Sequence, residues 1–387
     1  MSPGRPLRFT REPLPRFMPN AYRILSLVCL AAAGALAALG FPEENGARLA
    51  VSGLAIAIGL VLLVKGADDL IHGAVHLARH LGVSPFLIGV TVVAFGTSLP
   101  ELAAGIGATL RDKGDLAVGN VLGSNIANVG LILGVTALVI RIPVDKSVVR
   151  IDAPLVVAIT GVVLVLMLDR FTGLREPGEG LVGLIGRPEG VALVVGLAAY
   201  VTYNAVAGKL DKGELEEEFE KGQPPATDAP ASRTLVDLSL VVLGIASLIL
   251  GAQAMVDGSV IVAAALNIPD LVIGLTVIAI GTSLPELALS IQAARRGHAE
   301  IAVGNVLGSN TFNLLCVLGI ASLVNPLPIP ESAIRDLAVC AGFTVAMLVM
   351  LTTRRGLSRT EGLVLVASYV IYMGVVGLDV VPPQGGG

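Results

Sequence analysis

Along this chain, long apolar stretches alternate with short polar clusters. The apolar stretches run to about 18 residues or more, enough to cross a bilayer core of roughly 30 Å as a helix. They fall at roughly 24–41, 49–66, 86–109, 117–139, 151–168, 189–207, 235–256, 271–293, 301–324, 335–352 and 361–379. The short alternating segments of a transmembrane barrel are not the pattern here. The expected fold class is an all-α polytopic membrane protein.

The second half repeats the first. "LIGVTVVAFGTSLPELA" at 87–103 answers "VIGLTVIAIGTSLPELA" at 272–288, and "LAVGNVLGSNIANVGLILG" at 116–134 answers "IAVGNVLGSNTFNLLCVLG" at 301–319. The offset is 185 residues throughout: Gly66 and Gly73 answer Gly251 and Gly258, and Arg150 answers Arg335. Each copy holds five spans, an odd number, so the second copy must enter the membrane inverted relative to the first. The expected architecture is two inverted five-helix repeats, a ten-helix core, plus one extra N-terminal span. With the N-terminus in the cytoplasm, 19 of the 26 Lys and Arg residues fall on the inside and 7 on the outside. That bias favours this orientation in a cell (inner) membrane. The expected units are a basic, Pro-rich tail at 1–23, the extra span at 24–41 and repeat 1 at 49–207. An acidic cytoplasmic linker follows at 208–233, then repeat 2 at 234–379 and a tail at 380–387.

Composition narrows the function. The chain is 54% hydrophobic and 14% charged, with a net charge of −4 and no Trp, so no basic surface with interleaved aromatics speaks for nucleic acid. Cys29, Cys316 and Cys340 all lie in apolar runs, which gives neither a disulfide framework nor a zinc spacing. The run at 24–41 continues into "FPEEN" without a small-residue cleavage site, so it reads as a span rather than a leader. The linker carries five glutamates but lacks the spaced oxygen ligands and the glycine of an EF-hand. A phosphate-cradling loop and a catalytic triad are both missing from the pattern. The chain reads as a non-enzyme without a cofactor.

The chemistry sits in GTSLPE, at 96–101 and again at 281–286. Pro100 has no N–H and its ring clashes with the preceding turn; Gly96 loosens the same turn. A helix should break there, and freed backbone groups at membrane depth are tolerated only inside protein or along an aqueous cavity. Thr97 and Ser98 add hydroxyls. Glu101 adds a carboxylate, which is costly at that depth and usually functional. The donor set is all oxygen, as hard cations prefer. Inversion would bring Glu101 and Glu286 together near the midplane, where two unpaired carboxylates repel until a cation or protons compensate them. The second motif, GNVLGSN, occupies 119–125 and 304–310. Ser124 and Asn128 are four residues apart, hence on one helix face, and Ser309 and Asn313 repeat that face.

With both motifs present twice at one offset, residues 49–379 resemble the cation/calcium exchanger superfamily, and within it the prokaryotic sodium/calcium exchangers. The resemblance implies broken second and seventh core helices crossing the third and eighth around central cation sites, with Ca2+ exchanged for Na+ by alternating access. It implies Glu101 and Glu286 as the Ca2+-chelating carboxylates and hydroxyl ligands at Thr97, Ser98, Thr282 and Ser283. Further ligands are implied at Ser124, Asn128, Ser309 and Asn313, with main-chain oxygens of Ala94 and Ala279 offered to Na+. Members commonly carry an aspartate at one of the two asparagine positions, usually the second. Here both are amides, so the site has two formal negative charges rather than three. Proton-coupled relatives tend to carry an acid inside the GN motif, where this chain reads "VLGSN", which favours Na+ coupling.

The transport alternatives are a calcium/proton exchanger and a channel-like cation pore. A non-transporting membrane scaffold is the other reading. His72, His76 and His80 share one helix face and read as an interfacial polar stripe, with a soft-metal or pH-sensing site as the sharper alternative. Asp68, in "GAD", reads as structural or entry-lining.

Overall fold

The computed structural model describes residues 20–42, 45–168, 180–210, 231–266, 279–354 and 356–380. The greater part of the tail, the core of the acidic linker and residues 267–278 of the second GTSLPE span lie outside the described residues.

The expected spans are helices. α1 is Asn20–Leu39, α2 Asn45–Leu81, α3 Pro85–Thr97 and α4 Leu99–Thr109. α5 is Gly114–Val139, α6 Val148–Leu166, α7 Arg187–Leu210 and α8 Ala231–Ala265. α9 is the short turn Ala279–Gly281, α10 Leu284–Arg295, α11 Ala299–Val324, α12 Ala333–Arg354 and α13 Arg359–Val380. Among the described residues eight helices are long and apolar enough to cross a membrane, and α3 with α4 forms a ninth, bent span.

Burial sorts them into two layers. In α5 and α11, 78% and 89% of the apolar window is buried, against 17% to 39% in the other spanning helices. The two GNVLGSN helices are therefore the interior, and the rest wrap them with one face toward lipid.

Lipid offers no hydrophobic drive for helix pairing, so helices associate where small residues let backbones approach. α2 and α8 do this along most of their length. A Cβ at Gly59 would lie 2.5 Å from the Gly251 carbonyl oxygen, at Gly66 2.9 Å from that of Gly244, at Gly73 2.6 Å from that of Asp237, and at Gly258 2.7 Å from that of Ser52. As one partner number rises the other falls by the same amount, so the two helices run antiparallel. α2, at 37 residues, is about 55 Å long. It must tilt or project beyond a 30 Å core. α1 packs on both, with Cys29 and Ala33 against Leu62 and Ala254.

Two short antiparallel pairs, outside the spans, were not legible in the pattern. β1 (Ile142–Pro143) pairs with β4 (Gly356–Leu357), and β2 (Leu181–Ile185) pairs with β3 (Leu327–Pro330). Each joins a loop of the first half to a loop of the second. Strands this short, all four containing proline or glycine, carry no readable period.

The seam yields a direct prediction. Gly59→Ala should destabilise the detergent-solubilised protein by about 1–3 kcal/mol through overpacking. Gly161→Ala, at an exposed site with nothing within 4 Å, should be neutral or stabilising by up to about 1 kcal/mol. Paired denaturation curves check this, and equal stability of the two variants would remove the seam from the packing argument.

Candidate cation site

The broken helix is built by its own residues. Ser84 caps α3 by accepting the Leu87 N–H at 3.1 Å, with Pro85 in the first turn. α3 includes a wider π-helical stretch, Gly89–Val93, and ends at Thr97. Ser98 leaves the helical region (φ −84, ψ 4), and α4 restarts at Leu99 with a bend of 42°. Pro100 thus stands in the first turn of a new helix, where a missing N–H costs nothing. Glu101 stands in that same turn, where the positive end of the helix dipole favours a carboxylate. The second copy repeats the device. Ser283 has φ −91 and ψ 4, and Pro285 and Glu286 open α10. The expected break at 96–100 is therefore present. The Ala94 carbonyl still accepts the Ser98 N–H at 3.0 Å and lies 3.4 Å from the Thr97 hydroxyl, so it is not wholly released from the ladder.

α11 lies across α3. A Cβ at Gly304 would sit 2.8 Å from the Phe86 carbonyl, and one at Gly308 2.5 Å from that of Val90. Advancing four residues on each helix keeps the contact, so these two run in the same direction. The close approach brings the two motifs together. The Thr97 hydroxyl donates to Asn305 Oδ1 at 3.1 Å, and Asn305 Nδ2 donates to Ser290 Oγ at 3.3 Å. Across the halves, the Thr282 hydroxyl faces the Glu101 carboxyl and the Thr97 hydroxyl faces that of Glu286.

Asn128 and Asn313 each open a π-helical segment, Asn128–Leu133 and Asn313–Val317. Such segments widen a helix and recur at functional sites. Asn128 Nδ2 donates to Asn310 Oδ1 and Asn313 Nδ2 to Asn125 Oδ1, both at 3.0 Å.

Of the twelve residues singled out in the sequence, Ala94, Thr97, Ser98, Glu101, Ser124, Asn128, Ser283, Glu286, Ser309 and Asn313 are buried, and Thr282 is partly buried. Ala279 opens α9, directly after the undescribed stretch. Seven of their side-chain oxygens have no hydrogen-bond partner in the protein: Ser98 Oγ, Glu101 Oε2, Asn128 Oδ1, Ser283 Oγ, Glu286 Oε2, Ser309 Oγ and Asn313 Oδ1. Buried oxygens are ordinarily paired. A cluster of unpaired acceptors with two carboxylates among them fits a hard cation.

Pattern reading missed four partners: Asn125, Asn310, Asn305 and Ser290. Asn125 and Asn310 do stand inside both copies of "GSN", but what they hold belongs to the other half. The histidine stripe does not form a metal centre; among the described residues no group of three or more His, Cys, Asp or Glu side chains is arranged for one. His72 and His76 stack at 6.5 Å, and His76 Nδ1 lies 3.2 Å from Asp237 Oδ1 on α8. Asp68 is structural. Its Oδ1 accepts from Arg296 Nη2 at 2.8 Å and from Gln292 Nε2 at 2.9 Å, tying α2 to α10 and the turn after it.

The sodium/calcium exchanger protein family model matches residues 51–206 and 237–378. The chain belongs to the sodium/calcium exchanger family. The exchanger is 34% identical over 349 residues to the sodium/calcium exchanger MaX1 of Methanosarcina acetivorans, covering 85% of this chain and 99% of that one. It is 34% identical over 330 residues to the inner membrane protein YrbG of Escherichia coli, covering 82% and 94%. A solved structure of the sodium-calcium exchanger NCX_Mj superimposes with a TM-score of 0.71 at 29% identity, covering 85% of this chain and 99% of that one. The exchanger is thus an integral membrane antiporter of cations, not an enzyme.

Asp68 and Arg296 allow a test of the tie. Arg296→Ala leaves Asp68 a buried charge with only Gln292, and should lower stability by about 3 kcal/mol. Asp68→Asn combined with Arg296→Ala should recover a large part of that loss. Thermal unfolding of the two variants decides it; a double variant no more stable than Arg296→Ala would rule out the uncompensated charge.

Proposed function

We propose that the exchanger moves Ca2+ against Na+ by alternating access at the buried oxygen cluster. The observation that carries this is the set of seven buried, unpaired side-chain oxygens, two of them on the carboxylates of Glu101 and Glu286. Glu101 and Glu286 would chelate Ca2+. The hydroxyls of Thr97, Ser98, Thr282 and Ser283, with Ser124, Asn128, Ser309 and Asn313 and the carbonyls of Ala94 and Ala279, would complete oxygen shells for Ca2+ and Na+. Two formal charges match one divalent cation, and they match Na+ ions occupying several subsites.

An empty pair of carboxylates in a low-dielectric interior resists a change of access, because their repulsion and lost hydration stay uncompensated. Either substrate lowers that cost, which couples the two fluxes. Support for an inverted repeat comes from reciprocity at the 185-residue offset. Gly59 meets Gly251, the counterpart of Gly66, while Gly66 meets Gly244, the counterpart of Gly59. Likewise Asn128 meets Asn310 while Asn125 meets Asn313. On this reading repeat 1 is 49–207, repeat 2 is 234–379, the 208–233 linker is cytoplasmic, and the protein sits in the inner membrane with its N-terminus inside. The positive-inside bias and the likeness to an inner membrane protein support that orientation and location.

In proteoliposomes at fixed pH, an outward Na+ gradient should drive Ca2+ uptake. Uptake driven only by a pH gradient would reassign the coupling ion to H+, and Ca2+ current without counter-ion would indicate a pore. Glu101→Gln and Glu286→Gln should each reduce Na+-driven uptake by at least about 100-fold, roughly 2.7 kcal/mol. Undiminished flux in either variant would remove that carboxylate from the site.

A further inference from the structure

We propose that Asn125 is a positioning residue that turns the amide of Asn313 so that its oxygen, not its nitrogen, faces the cation; this rests on the reading of that oxygen as a cation acceptor. An amide has an acceptor end and a donor end, and only the acceptor end suits a cation. A carboxylate has no such ambiguity. A site built with two asparagines in place of an acid therefore needs something to fix their orientation.

The hydrogen-bond chain supplies it. Asn125 Nδ2 donates to the main-chain carbonyl of Asn310 at 3.2 Å. A main-chain carbonyl only accepts, so the orientation of Asn125 is set and its Oδ1 is left as an acceptor. That oxygen takes Asn313 Nδ2 at 3.0 Å. With its nitrogen committed, Asn313 presents Oδ1 the other way, buried and without a protein partner. On the other side Asn128 Nδ2 is taken by Asn310 Oδ1 at 3.0 Å and Asn128 Oδ1 is again unpaired, but Asn310 Nδ2 is itself buried without a protein partner, so no main-chain acceptor anchors Asn310 as one anchors Asn125. Amides that served only to join α5 to α11 would have no reason to leave both carbonyl oxygens orphaned. The GSN asparagine of the first half thus orients the ligand three residues beyond its own counterpart on the opposite helix.

The two ligand types make the test. Asn125→Leu removes the acceptor that holds Asn313. Loss of a group that orients a metal ligand lowers affinity by about 10- to 100-fold, so the half-saturating Ca2+ should rise at least about tenfold. In an Asn313→Asp background the ligand offers oxygen whichever way it turns. There the same Asn125→Leu should cost less than about twofold, well below the loss of an orienting group. The comparison is made by isothermal titration with Ca2+ and separately with Na+, on the full chain in detergent. Where Asn125→Leu does not yield monodisperse protein, Asn125→Ala carries the same two-background comparison. An equal loss in both backgrounds would reduce Asn125 to packing, and no loss in the native background would remove the lock. Native protein that binds neither ion would overturn the lock and the exchange reading together. Native protein that binds ions but exchanges Ca2+ against H+ overturns only the coupling, and the two-background result still decides the lock.

Discussion

Two buried carboxylates that act on one another set the conditions for the rest of this fold. Glu101 and Glu286 sit in the first turns of α4 and α10, each with one oxygen unpaired. Burying charge in this way is tolerable only if donors, helix ends and a bound cation compensate it. The helices break immediately before each glutamate, which sets the positive end of a helix dipole beside it. A crossing hydroxyl from the other half, Thr282 or Thr97, faces each carboxyl. A continuous helix would bury the same carboxylate without either.

Bringing four such elements to one point demands backbones nearly in contact, and this accounts for the glycines. Gly304 and Gly308 let α11 settle on α3 with room for no larger residue. Between α2 and α8 the glycines do the same at intervals of about two turns. The outer helices keep ordinary lipid-facing aliphatics such as Val162, Val195 and Ile371. Close approach is therefore concentrated where the oxygen cluster needs it and along the long crossing pair, and is relaxed at the periphery.

What the sequence revealed follows from the range of each effect. Proline, glycine and apolar run length act within a turn or a span, so the span positions and the break at Ser98 were readable. The repeated offset made inversion an expectation from span parity alone. The unread features all join distant residues. Arg296 meets Asp68 across 228 positions, and Asn313 meets Asn125 across 188. The sequence marked the GSN asparagines as polar residues on an interior helix, but the hydrogen-bond direction of Asn125 depends on a main-chain carbonyl of the other half. The histidine stripe shows the converse. Its spacing was read correctly as one helix face, yet a shared face does not gather ligands from other elements: His76 meets Asp237, and His72 lies 3.5 Å from the Arg296 guanidinium.

The two halves share a core but not their ends. At the Asp68 end of the α2–α8 pair, Arg296 and Gln292 bind Asp68, and His76 meets Asp237. The counterparts at the 185-residue offset are different. Gln253 stands where Asp68 would, Arg111 where Arg296 would, and both are exposed. Ser52 takes the place of Asp237, and its hydroxyl is satisfied by the Arg48 carbonyl of its own helix at 2.7 Å. Parting α2 from α10 at the Asp68 end must uncover a buried carboxylate and its guanidinium, whereas the described counterparts at the opposite end, Gln253 and Arg111, are already exposed. The oxygen cluster is close to symmetric, and what distinguishes its two ends is these flanking ion pairs, which lie outside the repeated motifs.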